Sequence, residues 1–371
     1  MTFLDFVGNA RVVTALRRML EGGRLPHALL FAGQKGVGKF TLATLFACAA
    51  NCQRQAGEIC GHCGSCRALA PLEDLAELKR AALQARGSAS PDAVPLLLRP
   101  HPSVTVLVPD GAFIRVSQMR AVVRQAYTLP AGVRRNVFLI DEAERLRFDY
   151  ADLLLKVLEE PPPHTSLILV TAAPFTLRPT LRSRCIPFYF APLTTEEIAH
   201  YLARHRPEGK KQDQELAAAA AAGSLGTALS LDLRLYRRVR ADALELLRAA
   251  ANQQPSPERL FAATSTLAGK TSRPGADSED RREIMEFSLE IVYGLLIDSL
   301  YLKIGTPEQG LRNPDLRSEL YQLSRCITQE WLEEAVAGLD RIEGGARRNV
   351  NRQLALDAWA LALAPSLPQI G

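Results

Sequence analysis

The stretch Gly33–Thr41 reads GQKGVGKFT and lies between an apolar run and an alanine-rich segment of helical character. A glycine-rich turn between a strand and a helix is the context that a phosphate-binding loop requires, because its backbone N–H groups converge on phosphate oxygens. The stretch therefore predicts such a loop, lined by Gly33, Gly36 and Gly38, with the amine of Lys39 reaching the β- and γ-phosphates.

One position in this loop departs from the usual pattern. Phe40 stands where the motif asks for Ser or Thr, whose hydroxyl ligates Mg²⁺, and a phenyl ring cannot do so. Thr41 is kept as a candidate nucleotide contact, but it lies about 100° further around the helix and is not a direct substitute. The sequence leaves ATP and Mg²⁺ binding open and argues against productive hydrolysis. A turn that binds no phosphate is the alternative.

Strands and helices alternate across the first half of the chain. Strands are predicted from apolar runs at 104–108, 137–140 and 167–171, and helices from periodic segments at 117–127 and 149–160. This alternation predicts an α/β domain with a parallel sheet. After Pro192 the strand signals end, so the remaining half is predicted to be helical.

Local signals place some of the helix ends. Ser117 and Thr194 are predicted N-caps, because a hydroxyl can accept a backbone N–H that the helix leaves without a partner. Three prolines at 161–163 are predicted to end the helix before them, since proline has no N–H to donate. The stretch 71–100 has an amphipathic helix pattern, is interpreted as an insertion in the α/β part, and is assigned no function.

The composition is that of an ordinary globular protein. The 371 residues carry 45 Lys+Arg against 40 Asp+Glu and are 47% apolar, which excludes collagen-like, low-complexity and wholly disordered chains. No run approaches the roughly 18–20 apolar residues of a membrane span, and residues 1–6 show no basic start of a signal peptide. We therefore expect a cytoplasmic protein of about two to three domains with no membrane partner.

Four of the seven cysteines have the spacing C-x7-C-x2-C-x2-C. Cys-x2-Cys turns place two thiolates on one metal ion, and four thiolates form a closed tetrahedral zinc site with no open position for catalysis. We therefore predict structural Zn²⁺ bound by Cys52, Cys60, Cys63 and Cys66. The alternative is four free thiols in a loop.

Two acids and one arginine are further candidate site residues. Asp141 and Glu142 follow the predicted strand 137–140, where an Asp would orient the metal's water shell and a Glu would polarise the attacking water. The alternative is two solvated carboxylates. Arg184 follows a strand and a proline-rich turn, where an arginine directed at a neighbouring subunit's γ-phosphate would lie. The alternative for Arg184 is a solvated surface side chain.

The motifs occur in one order along the chain: the phosphate loop, the cysteine knuckle, DEAE at 141–144, LLKVLEEPPP at 154–163 and SRC at 183–185. In this order the chain resembles the bacterial DNA polymerase III clamp-loader ATPases of the AAA+ superfamily. The resemblance implies an AAA+ domain over 1–192 with a zinc module at about 48–66, a small helical lid over 193–235 and a helical collar over 236–371 that oligomerises.

The resemblance also implies two types of subunit, a gamma/tau type that hydrolyses ATP and a delta-prime type whose ATPase is degraded or absent. Three departures from the gamma/tau pattern favour delta-prime. Phe40 replaces the Mg²⁺-binding hydroxyl, Ala172 stands at the sensor-1 position, and Gly226 replaces the sensor-2 arginine. A delta-prime subunit would be a stator without hydrolysis of its own, which presents Arg184 to the ATP of a neighbouring subunit.

The implied partners are gamma/tau and delta subunits in a hetero-pentamer that loads a sliding clamp on primed DNA during replication. Arg120 and Arg124 are candidate DNA-phosphate contacts, against the alternative of solvated helix arginines. Two other functions stay open. One is the gamma/tau-type motor itself. The other is a zinc-knuckle nucleic-acid-binding protein with a vestigial nucleotide fold, which would bind DNA tightly as an isolated chain.

Overall fold

The computed structural model describes residues 2–23, 25–54, 57–129, 133–147, 152–251, 256–268, 278–305, 310–346 and 351–364. Residues 149–151 of the predicted helix 149–160 lie outside this part of the chain. The chain forms two compact units: Met1–Tyr201 with Gly223–Gly226, and Leu202–Ala222 with Thr227–Gly371. The predicted division into a lid over 193–235 and a collar over 236–371 stays a prediction.

The first unit is built on a six-stranded sheet. Its strands are β1 Ala28–Ala32, β2 Leu97–His101, β3 Val104–Leu107, β4 Asn136–Ile140, β5 Thr165–Thr171 and β6 Ile186–Tyr189. Their order is β2-β3-β4-β5-β1-β6, and all neighbours are parallel except β2 and β3. Parallel strands are covered on both faces, which is why β3, β4 and β5 read as continuous apolar runs.

Helices cover both faces of this sheet. They are α1 Ala10–Glu21, α2 Lys39–Ala50, α3 Gly64–Leu69, α4 Leu75–Arg86, α5 Val116–Ala126, α6 Asp152–Glu159, α7 Pro179–Arg182 and α8 Thr195–His205, the last of which continues into the second unit. Side chains alternate along β1, so Leu29 and Phe31 enter one core with α1 and α2, while Ala28 and Leu30 enter another with α5 and α6. The predicted α/β fold with a largely parallel sheet is confirmed.

Two of the three predicted helix ends lie where the local signals put them. Helix α6 ends at Glu159, before the three prolines. Thr194 Oγ1 accepts the Glu197 N–H at 3.1 Å, and Thr194 N–H donates to the Glu197 carboxylate at 2.8 Å. The prediction for Ser117 is wrong. Helix α5 already begins at Val116, so the Ser117 hydroxyl lies inside the first turn and donates instead to Pro91 O at 3.2 Å.

The stretch 71–100 is a structured addition to the edge of the sheet. It supplies all of α4 and most of β2, and β2 pairs antiparallel with β3. Arg86 donates two hydrogen bonds to the buried Asp110 carboxylate, at 2.6 and 3.1 Å. The buried Gln118 amide donates to Leu96 O at 2.7 Å and so ties the stretch to α5 as well.

The second unit is helical throughout its described residues. It contains α9 Lys211–Ala220, α10 Leu225–Ser230 (which begins in the first unit), α11 Leu233–Ala250, α12 Pro257–Leu267, α13 Ser278–Ile304, α14 Arg317–Cys326, α15 Gln329–Ala346 and α16 Arg352–Ala362. This agrees with the predicted helical second half. In the parts of the chain that the structure describes, no helix is both long and apolar enough to span a membrane.

Candidate functional site

The phosphate loop lies at the carboxyl end of β1, and α2 begins at Lys39 directly after it. Gly38 is the N-cap of α2 and has a φ of 90°, which favours glycine. A Cβ at Gly38 would lie 2.8 Å from the ring of Phe6, and one at Gly33 would lie 2.6 Å from Phe190 O. The glycines therefore serve both the backbone turn and the close packing of the chain around the loop.

The side chain of Lys39 is buried in this loop. Its ammonium donates to Gly33 O and to Gln34 O, both at 2.6 Å. Burial lowers the pKa of Lys39, although the carboxylates of Glu144 and Asp141 act in the opposite direction. The amine that was predicted to reach the phosphates is therefore bonded to the carbonyls of its own loop, and a phosphate would have to replace these bonds.

Asp141 and Glu142 follow β4 and reach the same edge of the sheet as the loop. Burial raises the pKa of Asp141 to about 6, and the charges of Glu142 and Glu144 add to this effect. Glu142 has a left-handed backbone, with a φ of 47°, and its carboxylate is paired with Arg145 at 2.8 Å. The group expected to polarise water is thus engaged in an ion pair. Sequence reasoning missed Arg145, although its i+3 spacing from Glu142 is a readable signal.

The three departures from the motor pattern each have a structural setting. Phe40 packs against the apolar core on the α1 and α2 side of the sheet. Ala172 N–H lies 3.4 Å from the Glu144 carboxylate, and its methyl group can offer no hydrogen bond. Gly226 N–H donates to Gly36 O at 2.9 Å, and a Cβ there would lie 3.1 Å from the Gly36 Cα. The segment around Gly226 therefore approaches the phosphate loop through a backbone contact that favours glycine.

The four predicted cysteine ligands lie together. The sulfurs of Cys52, Cys60, Cys63 and Cys66 are all within 4.8 Å of one another. Zn–S bonds of about 2.3 Å in tetrahedral geometry place sulfurs about 3.8 Å apart, so a small contraction completes the site. The N–H of Cys63 donates to the Cys60 sulfur at 3.3 Å, and that of Cys66 to the Cys63 sulfur at 3.5 Å. The donor set fits a metal ion that prefers four thiolates.

The cysteine knuckle is held to α1 and to the segment before β4 by contacts that sequence reasoning missed. The Arg134 guanidinium donates to Cys52 O at 3.0 Å from the segment that leads into β4. Arg17 on α1 forms an ion pair with Glu58 at 2.6 Å. These partners lie 82 and 41 residues apart in the sequence, so no local pattern could have indicated them.

Arg184 lies just after α7, and its side chain is 35% exposed. The guanidinium donates to the Glu159 carboxylate at 2.7 Å and to Thr180 O at 3.0 Å. The next residue, Cys185, is buried, and burial raises the pKa of its thiol to about 12. The SRC motif thus anchors one side chain in the core and leaves the preceding arginine at the surface.

The other arginines of interest differ from Arg184 in their surroundings. Arg182 lies 5.1 Å from the centre of the Phe175 ring, so its guanidinium is stacked on its own chain. Arg120 and Arg124 are exposed on α5, and neither forms an ion pair with the residues that the structure describes. Among the predicted site residues, the phosphate loop, Asp141, Glu142 and Ala172 lie at the carboxyl ends of β1, β4 and β5, whereas Arg120 and Arg124 lie on α5.

A phosphate loop after a central parallel strand, together with acids after β4 and a helical second half, defines an AAA+ P-loop protein. The family described as "DNA polymerase III, delta subunit" matches residues 8–194, which is half of the chain. The chain belongs to this family. The predicted membership of the bacterial clamp-loader AAA+ proteins is thereby confirmed, while the type of subunit is not decided by it.

Individual relatives are similar over the same region. The chain is 34% identical over 241 residues to DNA polymerase III subunit tau of Escherichia coli, and 33% identical over 204 residues to subunit gamma/tau of Mycobacterium tuberculosis. These matches cover 62% and 55% of this chain but only 32% and 31% of those proteins. A DNA polymerase III gamma subunit-related protein of Thermotoga maritima aligns over 95% of this chain and 98% of that one, with 14% identity and a TM-score of 0.39, too low to carry an argument.

Proposed function

We propose that this chain is a delta-prime-type stator of a DNA polymerase III clamp loader, with no ATP hydrolysis of its own. The observation that carries the proposal is the state of the phosphate-loop site. Phe40, half-buried against the core, stands where a Mg²⁺-binding hydroxyl is needed, and the Glu142 carboxylate is paired with Arg145. A site that lacks the Mg²⁺-binding hydroxyl and an available general base cannot follow the usual course of phosphoryl transfer.

The active contribution of the chain would be Arg184, acting on the ATP of an adjacent gamma/tau-type subunit. Charge develops on the γ-phosphoryl oxygens in the transition state, and a guanidinium aimed at them from a neighbouring subunit stabilises that charge. Cys185 is buried and Ser183 is exposed, while the Arg184 side chain is 35% exposed, so Arg184 is the cationic member of the SRC motif that reaches the surface. ATP-driven closure of the ring would then open a sliding clamp and load it on primed DNA.

The proposed assembly is a hetero-pentamer with gamma/tau and delta subunits. Support comes from the family to which the chain belongs and from its similarity to tau and gamma/tau subunits. Arg120 and Arg124 would contact DNA phosphates only within the assembly, because two exposed arginines on one helix are too few for tight binding by the isolated chain.

For the cysteine knuckle we propose Zn²⁺ as the bound ion. Four thiolates leave it no open position, so its contribution would be to hold the segment between α2 and α3 rather than to catalyse a reaction. The hydrogen bond from Arg134 to Cys52 O would connect the metal-bound knuckle to the start of β4.

The gamma/tau-type motor is the second candidate, and two observations favour it. Lys39 is present in the loop, and the relatives in hand include tau and gamma/tau subunits at 33–34% identity. A zinc-knuckle DNA-binding protein with a vestigial nucleotide fold is the third. The isolated chain distinguishes the three, because only the motor would hydrolyse ATP and only the third would bind primed DNA tightly.

The test of the stator function is a clamp loader reconstituted with Arg184→Ala. This variant should assemble and keep its zinc, yet lower DNA-stimulated ATP hydrolysis and clamp loading. Loss of such an arginine costs roughly 10³–10⁵ in rate at a single site, but one site in the ring would face this chain, so total hydrolysis should fall only in part. Arg182→Ala is the matched control, since that guanidinium is stacked on Phe175. Loading at the wild-type rate by the Arg184→Ala complex at limiting ATP would contradict the proposal.

A further inference from the structure

The ion pair between Arg184 and Glu159 has a geometry that bears on the arginine's task. Nη2 of Arg184 bonds the Glu159 carboxylate at 2.7 Å, and Nη1 bonds Thr180 O at 3.0 Å. A guanidinium has five N–H donors in a rigid plane. Two acceptors on two different nitrogens fix that plane, and three donors stay available for a further anion.

Both acceptors belong to helices of the first unit, α6 and α7. Thr180 O is a backbone atom of α7, and the Ser183 hydroxyl also donates to it at 3.2 Å. Glu159 is the last residue of α6, and three prolines follow at 161–163, so the chain around it has little freedom. Helices α6 and α7 pack on each other in the core on that face of the sheet.

The contribution of this ion pair to folding stability does not explain why Arg184 and Glu159 are paired. The Arg184 and Glu159 side chains are 35% and 51% exposed, and an exposed pair adds little to folding stability. Without such a partner, a long arginine side chain at the surface samples many rotamers. Each productive contact then costs the conformational entropy that is lost when one rotamer is fixed. Holding the guanidinium in one orientation before the partner arrives removes part of this cost.

We propose that Glu159 is a positioning residue for Arg184: its carboxylate holds the guanidinium in the orientation that meets the γ-phosphoryl group of the adjacent ATPase subunit. This inference rests on the proposed function. Sequence reasoning quoted Glu159 only as part of LLKVLEEPPP and gave it no role. The pairing joins residues 25 positions apart and is visible only in the fold.

The test uses the whole reconstituted loader with six versions of this chain: wild type, Glu159→Ala, Glu159→Gln, Arg184→Ala, Glu160→Ala and the double variant Glu159→Ala/Arg184→Ala. The quantity to compare is the Arg184-dependent part of ATP hydrolysis, defined as the wild-type rate minus the Arg184→Ala rate. Glu159→Ala should lower the kcat of this part roughly two- to fivefold, the range that one exposed ion pair can supply. The KM for ATP should stay unchanged, because the arginine acts on the transition state.

Glu159→Gln should recover most of the loss, since its amide oxygen can still accept the Arg184 hydrogen bond. Glu160→Ala is the matched control, because Glu160 is exposed beside Glu159, and it should behave as wild type. In the Arg184→Ala background, Glu159→Ala should have no further effect. A merely structural role for Glu159 would lower the rate in that background too.

The outcomes separate the two proposals. If Arg184→Ala has no effect, the stator function itself is wrong. If Arg184→Ala lowers the rate while Glu159→Ala matches wild type, only the positioning role is overturned. A Glu159→Ala rate above wild type would also overturn it, because the carboxylate would then compete with phosphate for the guanidinium.

Discussion

Replacing Asp141 by Asn is expected to stabilise the first unit of the isolated chain at pH 8 and to change little near pH 4. The cause is the environment of the carboxylate after β4. Burial, together with the charges of Glu142 and Glu144, raises the pKa of Asp141 to about 6 from its ordinary value of 3.8, although Lys39 acts in the opposite direction. The folded chain therefore binds this proton more tightly than the unfolded chain does.

The sign and size follow from this difference in pKa. Above about pH 7 Asp141 is ionised in both states, and the folded state bears a cost of about 3 kcal/mol, at 1.36 kcal/mol for each pKa unit. Near pH 4 the carboxyl is protonated in the folded state and half protonated in the unfolded state, so the cost falls to about 0.5 kcal/mol. Wild-type stability is thus lost as the pH rises from about 4 to 6. Asn cannot ionise and avoids this loss.

The assay must report on the first unit. Both tryptophans, Trp331 and Trp359, lie in the second unit, so their fluorescence would follow the wrong part of the chain. Amide hydrogen exchange of the buried strands β4 and β5, measured from pH 5 to 8, reports on the stability of the first unit. Glu160→Gln is the control for removing an exposed carboxylate. If Asp141→Asn gives no gain in the stability of the first unit at pH 8, or an equally large gain at pH 5 and pH 8, this account of the site is refuted.

Two further predictions concern the metal and the nucleotide. Purified chain washed with chelator should hold close to one equivalent of zinc, and Cys63→Ser should release it, because four thiolates are needed to close the site. Absence of zinc together with four thiols that titrate freely under native conditions would contradict this assignment. With Mg²⁺ and primed DNA the isolated chain should show no ATP turnover above background, since Phe40 offers no metal ligand. A turnover of about one per second that Lys39→Ala abolishes would instead favour the motor function.

Features that depend on near neighbours in the chain were readable from the sequence. The phosphate loop is one, because a strand, a glycine turn and a helix follow each other directly in GQKGVGKFT. The cysteine cluster is another, since Cys-x2-Cys spacing brings two sulfurs together in one turn. Thr194 also capped its helix as predicted, because its partner Glu197 is only three residues away. In each case the interacting groups are close in sequence, so few other arrangements compete.

Only the tertiary structure decided how distant segments meet. Ser117 carried the right signal for a cap, yet its hydroxyl bonds Pro91 O, 26 residues away. Gly226 contacts Gly36, and Arg184 contacts Glu159, because the order of the sheet and the packing of the helices bring them together. The secondary-structure propensity of a short segment does not indicate which distant residues it will contact. The sequence by itself thus determined which chemical groups this protein has, and the fold decided which of them are engaged with one another and which remain at the surface to act.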